Sequence, residues 1–187
     1  YGGSLENRMR FPLEVLAEVR AAWPAELPVF VRCSSIDDVE GGWGLEDTVA
    51  FAKAAKAAGI DVVDCSSGGI AGSATAAQKV TLKRTPGFQL PFAERVRAEA
   101  GIATMAVGLI LTAAQAEGAL AAGRADLIAV AREALYDPNW AVHAAQELGA
   151  DPEYALWPQQ YGWWLTRREG TLRAAGLERR GARLPDA

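Results

Sequence analysis

The chain has 187 residues, half of them apolar and 22% charged, with 19 Lys and Arg against 23 Asp and Glu for a net charge of −4. That length supports one sizeable core, and the charge balance excludes the broad basic face of a nucleic-acid binder. No apolar run approaches the roughly 20 residues of a bilayer span and the N-terminus lacks the pattern of a signal peptide, so a cytoplasmic protein with neither membrane nor nucleic-acid partner is expected.

Leu5, Met9, Leu13, Leu16 and Val19 recur at spacings of three and four behind Ser4, which predicts a capped amphipathic helix over residues 5–23. Pro28 introduces Val29-Phe30-Val31-Arg32-Cys33, a β-branched and aromatic run that fits a strand buried on both faces. Helical spacing returns over residues 45–58 and Gly59 ends it. Residues 60–65 form the next strand, and the Gly-, Ser- and Thr-rich stretch 66–90 reads as a long loop over the strand ends. Residues 91–100 then predict a helix, 102–107 a strand, 112–122 a helix and 125–131 a fourth strand, followed by a helix through Leu148.

A helix followed by four strand–helix units at this spacing predicts a parallel α/β sheet with right-handed crossovers. No GxGxxG follows any strand, so a Rossmann fold is not indicated. Four units are half of an eightfold (β/α) barrel, whose usual length is about 250 residues. The division expected is residues 1–150 as a barrel half and 151–187 as a C-terminal extension. Beyond Asp151 the periodicity dissolves into Trp157-Pro158-Gln159-Gln160-Tyr161-Gly162-Trp163-Trp164, an aromatic density that predicts packing on another surface, its own or a neighbouring subunit's. The arginines that follow, Arg167, Arg168, Arg173, Arg179, Arg180 and Arg183, read as a solvated end.

Ligands of parallel α/β folds bind at the carboxyl ends of the strands, and in barrels the last two strands commonly hold a phosphate. The third strand here closes on Val107-Gly108, where a missing side chain either serves a tight turn or lets an anion approach backbone N–H groups. The fourth closes on Ala131-Arg132, a permanently charged fork whose anionic partner is Glu133, Asp137 or a ligand. Side by side, the two ends favour phosphate. Arg32 poses the same question at the first strand: its partner is Asp37 or Asp64, or it stabilises negative charge on a bound cofactor. Asp64-Cys65-Ser66-Ser67-Gly68-Gly69 either lines the same mouth or is turn chemistry. The lone His143 cannot assemble a triad or a metal site, and Cys33 and Cys65 read as packed thiols rather than a disulfide.

The opening Tyr1-Gly2-Gly3-Ser4-Leu5-Glu6-Asn7-Arg8-Met9-Arg10-Phe11 resembles the YGGSxENRxRF segment of the Old Yellow Enzyme family of FMN-dependent oxidoreductases. Phe30-Val31-Arg32, Val63-Asp64-Cys65-Ser66-Ser67-Gly68, Pro86-Gly87-Phe88-Gln89, Ala106-Val107-Gly108 and Gly123 through Glu133 match in the same order, over about residues 1–165, and look most like the xenobiotic-reductase or thermophilic-like branch. The resemblance implies strands five to eight of a TIM (β/α)8 barrel that binds FMN, takes hydride from NADPH or NADH, and reduces an activated alkene. It puts Arg32 near the flavin pyrimidine edge and Val107, Gly108, Ala131 and Arg132 at the phosphate, with Ala131 where many relatives have glycine. It also implies a homo-oligomer in which the C-terminal segment, through Tyr161, Trp163 or Trp164, enters a neighbouring subunit's active site. The family's substrate-holding His pair or His/Asn, its proton-donating Tyr and its flavin-tuning Cys or Thr all lie upstream of the matched opening. Activity is therefore expected only when an N-terminal half completes the barrel; the alternatives are another phosphate-binding barrel enzyme, an isomerase or aldolase, or a half-barrel without catalysis.

Overall fold

The computed structural model describes residues 1–68 and 82–177. It contains α1 (Leu5–Ala22), β1 (Phe30–Ser34), α2 (Leu45–Ala57), β2 (Val62–Ser66), α3 (Leu90–Ala100), β3 (Ala103–Ala106), α4 (Ala113–Ala121), β4 (Leu127–Ile128), α5 (Arg132–Tyr136), α6 (Trp140–Glu147) and α7 (Gln159–Ala174). The four strands are parallel in the order β1-β2-β3-β4, with Phe30 beside Val62, Val62 beside Ala103, and Met105 beside Leu127. This is the partial (β/α) barrel that the alternation predicts. The chain divides into two compact units, residues 1–111 with 115–130, and residues 112–114 with 131 onward.

In the first unit each helix starts and stops for a local reason. Ser4 Oγ accepts the Asn7 N–H at 3.3 Å to open α1, the Asp47 carboxylate accepts the Gly44 N–H at 3.1 Å to open α2, and Gly101, at φ +62, closes α3. Register is set by a repeated device. Asp61 Oδ2 accepts the Val29 N–H at 2.8 Å while its own N–H donates to the Val29 carbonyl at 3.0 Å. Asp126 does the same to Thr104, at 2.9 Å in both directions. Each aspartate thus ties the start of its strand to the start of the preceding one, which a parallel ladder cannot do by a hairpin.

β2 is buried on both faces, as its unbroken Val62-Val63-Asp64-Cys65 run requires, whereas β1, expected to be buried on both faces too, has no buried residue because it is the edge strand of the described sheet. Val63 and Cys65 are fully buried, and Phe51 and Ala52 of α2 and Ala93 and Val96 of α3 belong to the same buried core. Cys33 and Cys65 are free and occupy partnered register positions. Burial pushes their thiols up to about 11 and about 12, so both are protonated and unreactive at neutral pH, in keeping with packed thiols.

In the second unit the structure corrects the reading of the C-terminal segment, where periodicity seemed to end at Asp151. Residues 159–174 form the 16-residue helix α7. Its anchor is polar and small rather than an apolar stripe, which is why helical spacing of apolar residues is missing from its sequence. Buried Asp151 accepts the Ala155 and Leu156 N–H groups at 2.7 and 3.2 Å, shaping a turn in which Tyr154 sits at φ +60. The Tyr154 hydroxyl donates to Glu169 at 3.0 Å, and Thr166 Oγ1 donates to the Glu153 carbonyl at 3.1 Å. The single helix expected after the fourth strand is also two, α5 and α6, broken at Asp137-Pro138-Asn139. No described helix is long and apolar enough to cross a membrane, and no described group of His, Cys, Asp and Glu could hold a metal ion.

Candidate functional site

The carboxyl ends of β1, β2 and β3 meet in the first unit. Arg32 projects from β1, half exposed, with Nε 3.5 Å from Asp64 Oδ2 on β2 and Nη2 3.4 Å from Ser66 Oγ. Of the two acids open to it, the structure selects Asp64; Asp37 instead accepts the Trp43 N–H at 3.0 Å. Asp64 is only 8% exposed, and its Oδ1 is buried without a hydrogen-bond partner. One carboxylate oxygen therefore serves the arginine and the other is unpaired.

Burial raises the Asp64 carboxyl above its ordinary 3.8, and the Arg32 charge opposes that rise. A carboxyl whose folded pKa exceeds its unfolded one contributes stability that is present below the unfolded value and lost as pH rises through the folded value. Asp64→Asn, which cannot ionise, is therefore expected to gain stability relative to the wild type as pH rises from about 4 through that window. Urea denaturation midpoints across the pH series check this. A wild type that gains on the variant instead would mean that the Arg32 pair outweighs burial.

β3 ends at Ala106 and is followed by buried Val107 and then Gly108, which stands at φ +109 before Leu109 at φ +52. The Gly108 carbonyl accepts the Gly87 N–H at 3.0 Å, whereas no described backbone carbonyl accepts from the Gly108 or Leu109 N–H. N–H groups without a backbone acceptor are the feature an anion needs. The glycine itself has a second, internal cause: a Cβ there would lie 2.5 Å from Gln89 Oε1 and 2.9 Å from Phe88 Cε1. The sequence leaves a tight turn or a ligand as the reason for this glycine; the structure adds close approach of the Phe88 and Gln89 side chains. Gln89, missed as a site residue although its Pro-Gly-Phe-Gln motif is legible, bridges β2 and β3 here. Gly69, within the stretch suggested to line this mouth, lies outside the described residues, as does most of the long loop.

In the second unit, Ala131 precedes α5 and Arg132 is its first residue, not the last residue of a strand; β4 is shorter than 125–131 because it pairs only at Leu127 and Ile128. Arg132 is exposed and forms no ion pair with Glu133 or Asp137. Asp137 is engaged elsewhere, receiving the Asn139 N–H at 3.0 Å and facing His143 Nδ1 at 2.6 Å. Tyr161, Trp163 and Trp164 are on α7 and are 51–65% exposed. Trp163 and Trp164 meet edge to face at 4.5 Å between centroids, and the Arg167 guanidinium covers Trp163 at 4.0 Å. Arg179, Arg180 and Arg183 lie outside the described residues.

The sequence pattern of the NADH:flavin oxidoreductase / NADH oxidase family matches residues 1–151. NADPH dehydrogenase of Halalkalibacterium halodurans is 48% identical over 149 residues, 80% of this chain and 41% of that protein. NADPH dehydrogenase of Geobacillus thermodenitrificans is 45% identical over 165 residues, covering 87% and 45%. Among solved structures, 2-naphthoyl-CoA reductase in complex with 2-naphthoyl-CoA aligns with TM-score 0.63 and 31% identity over 73% of this chain and 21% of that one. Histamine dehydrogenase from Rhizobium sp. 4-9, at TM-score 0.59 and 23% identity over 82% of this chain and 21% of that chain, shares the fold. The chain thus spans less than half the length of these curated relatives. It belongs to the NADH:flavin oxidoreductase / NADH oxidase family, the Old Yellow Enzyme family of FMN-dependent enzymes.

Proposed function

We propose that this chain supplies the cofactor-phosphate end and one flavin-facing cation of an FMN-dependent ene-reductase, which takes hydride from NADPH or NADH and reduces an activated C=C bond. The observation that supports the reading is Gly108 at φ +109, directly after β3, with no described backbone carbonyl accepting from its N–H or from that of Leu109, in the same parallel sheet that carries Arg32 on β1. In this reading the first unit offers the Gly108 backbone, preceded by Val107, to the phosphate, and the second unit, taken by itself, offers the Arg132 guanidinium, preceded by Ala131, to an anion. Arg32 balances negative charge at the flavin pyrimidine edge, and Asp64 and Ser66 hold its guanidinium at the strand end. FMN, when bound, would supply the hydride-carrying centre; the chain's own residues bind and orient it.

The chain covers 41–45% of its NADPH dehydrogenase relatives, and the proposed activity requires the remaining, N-terminal part of the barrel that those relatives carry. Tyr161, Trp163 and Trp164 are proposed to complete a neighbouring subunit's active site, a reading supported by their exposure on α7. Titration of FMN into the chain, alone and with the N-terminal half of the H. halodurans relative, tests the cofactor reading. Quenching of flavin fluorescence and a perturbed flavin absorbance spectrum are the expected result; free-flavin spectra in both cases would overturn it.

A further inference from the structure

Gln89 is 4% exposed and sits in the turn before α3. Its Nε2 donates to Ser67 Oγ at 2.6 Å and lies 3.4 Å from Ser66 Oγ and from the Ser67 carbonyl. Ser66 Oγ is also the atom that faces Arg32 Nη2 at 3.4 Å. On its other side the same amide presents Oε1 to the space beside Gly108 Cα, where a Cβ would lie 2.5 Å from it. The turn is tied to the same glycine through the Gly87 N–H. One buried amide therefore contacts the end of β2, abuts the end of β3, and reaches β1 through a shared hydroxyl.

We propose that Gln89 is a positioning residue: it holds the Gly108 backbone in its left-handed conformation and couples it to the Ser66–Arg32 pair, fixing the spacing between the two. The chemistry asks for this side chain. A donor is needed toward the serines, and an uncharged edge is needed beside a backbone that would receive an anion; glutamate would offer neither, and an apolar residue would leave Ser67 without its short bond. Preorganised amides bind an anion better than mobile ones, since no ordering cost is left for the moment of binding. The functional consequence rests on the FMN reading above; the coupling itself does not.

Gln89→Met retains the shape without the amide, and Gln89→Asn retains the amide one methylene short, as a second variant should the first fail to fold. In the flavin-free 187-residue chain, Gln89→Met is expected to shift the NMR signals of the Gly108 amide and the Arg32 Nε together. It should also speed Gly108 amide exchange about tenfold, as a local opening, while the Val63 and Val96 amides keep their protection. FMN and riboflavin, which differ by the phosphate, are then titrated in parallel. The expected result is an FMN preference at least fivefold narrower, with riboflavin affinity nearly unchanged. Unmoved Gly108 and Arg32 signals would overturn the proposal, as would equal loss of both flavins. A wild-type chain with no preference for FMN over riboflavin would overturn the phosphate reading of Gly108 instead, leaving the NMR result to decide the coupling.

Discussion

Replacing Arg132 by alanine is expected to weaken FMN binding by about 1.5–3 kcal/mol, roughly 10- to 150-fold, the range for hydrogen bonds to a charged group. The expectation follows from what the guanidinium lacks. It is exposed at the first position of α5, and the two nearest acids in sequence do not pair with it, Asp137 being occupied by His143 and Asn139. An arginine with an internal partner would already be neutralised; this one has its charge available. Fluorescence titration with FMN and riboflavin separates the outcomes, because only FMN affinity should fall. Arg132→Lys should recover part of the loss, keeping the charge but not the planar fork. Equal FMN affinity in the alanine variant would remove Arg132 from the phosphate site.

Gly162→Ala should destabilise the second unit by about 1–3 kcal/mol, the usual cost of overpacking. Helix propensity alone predicts the opposite sign, since alanine is favoured over glycine inside a helix by about 1 kcal/mol. The clash decides. A Cβ at Gly162 would lie 2.5 Å from the Tyr154 carbonyl oxygen, and that carbonyl belongs to a turn fixed by buried Asp151, so it cannot move aside cheaply. Gly170 on the same helix has nothing within 4 Å of the added atom. Gly170→Ala should therefore stabilise by about 0.5–1 kcal/mol. Thermal melts followed by circular dichroism compare the pair, and stabilisation of both would mean that α7 is not docked on the turn as described.

Much of the first unit was legible because its parallel strands are written as short β-branched and apolar runs, although only β2 among them is buried on both faces. The runs at Phe30, Val62 and Ala103, separated by helices that end in Gly59 and Gly101, left one sensible alternation. α7 was not legible, because its docking depends on a small residue, Gly162, and on the hydroxyls of Thr166 and Tyr154, none of which contributes to hydrophobic periodicity. The break between α5 and α6 was hidden in a similar way, since an Asp-Pro-Asn interruption is decided by local backbone chemistry within an otherwise helical composition.

The sequence by itself determined the family and the alternation of strands and helices, since both depend on residues close together along the chain, but it misplaced Arg132 at a strand end instead of at the start of α5. It offered Arg32 two acids, and Gly108 a turn or an anion as its reason to be glycine. Only the tertiary structure chose Asp64, left one of its oxygens buried and unpaired, and set the Gln89 amide against Gly108. Those contacts join residues 19 to 32 positions apart. They are fixed by the register of neighbouring parallel strands and by the path of the turn before α3, neither of which is encoded by spacing along a single segment.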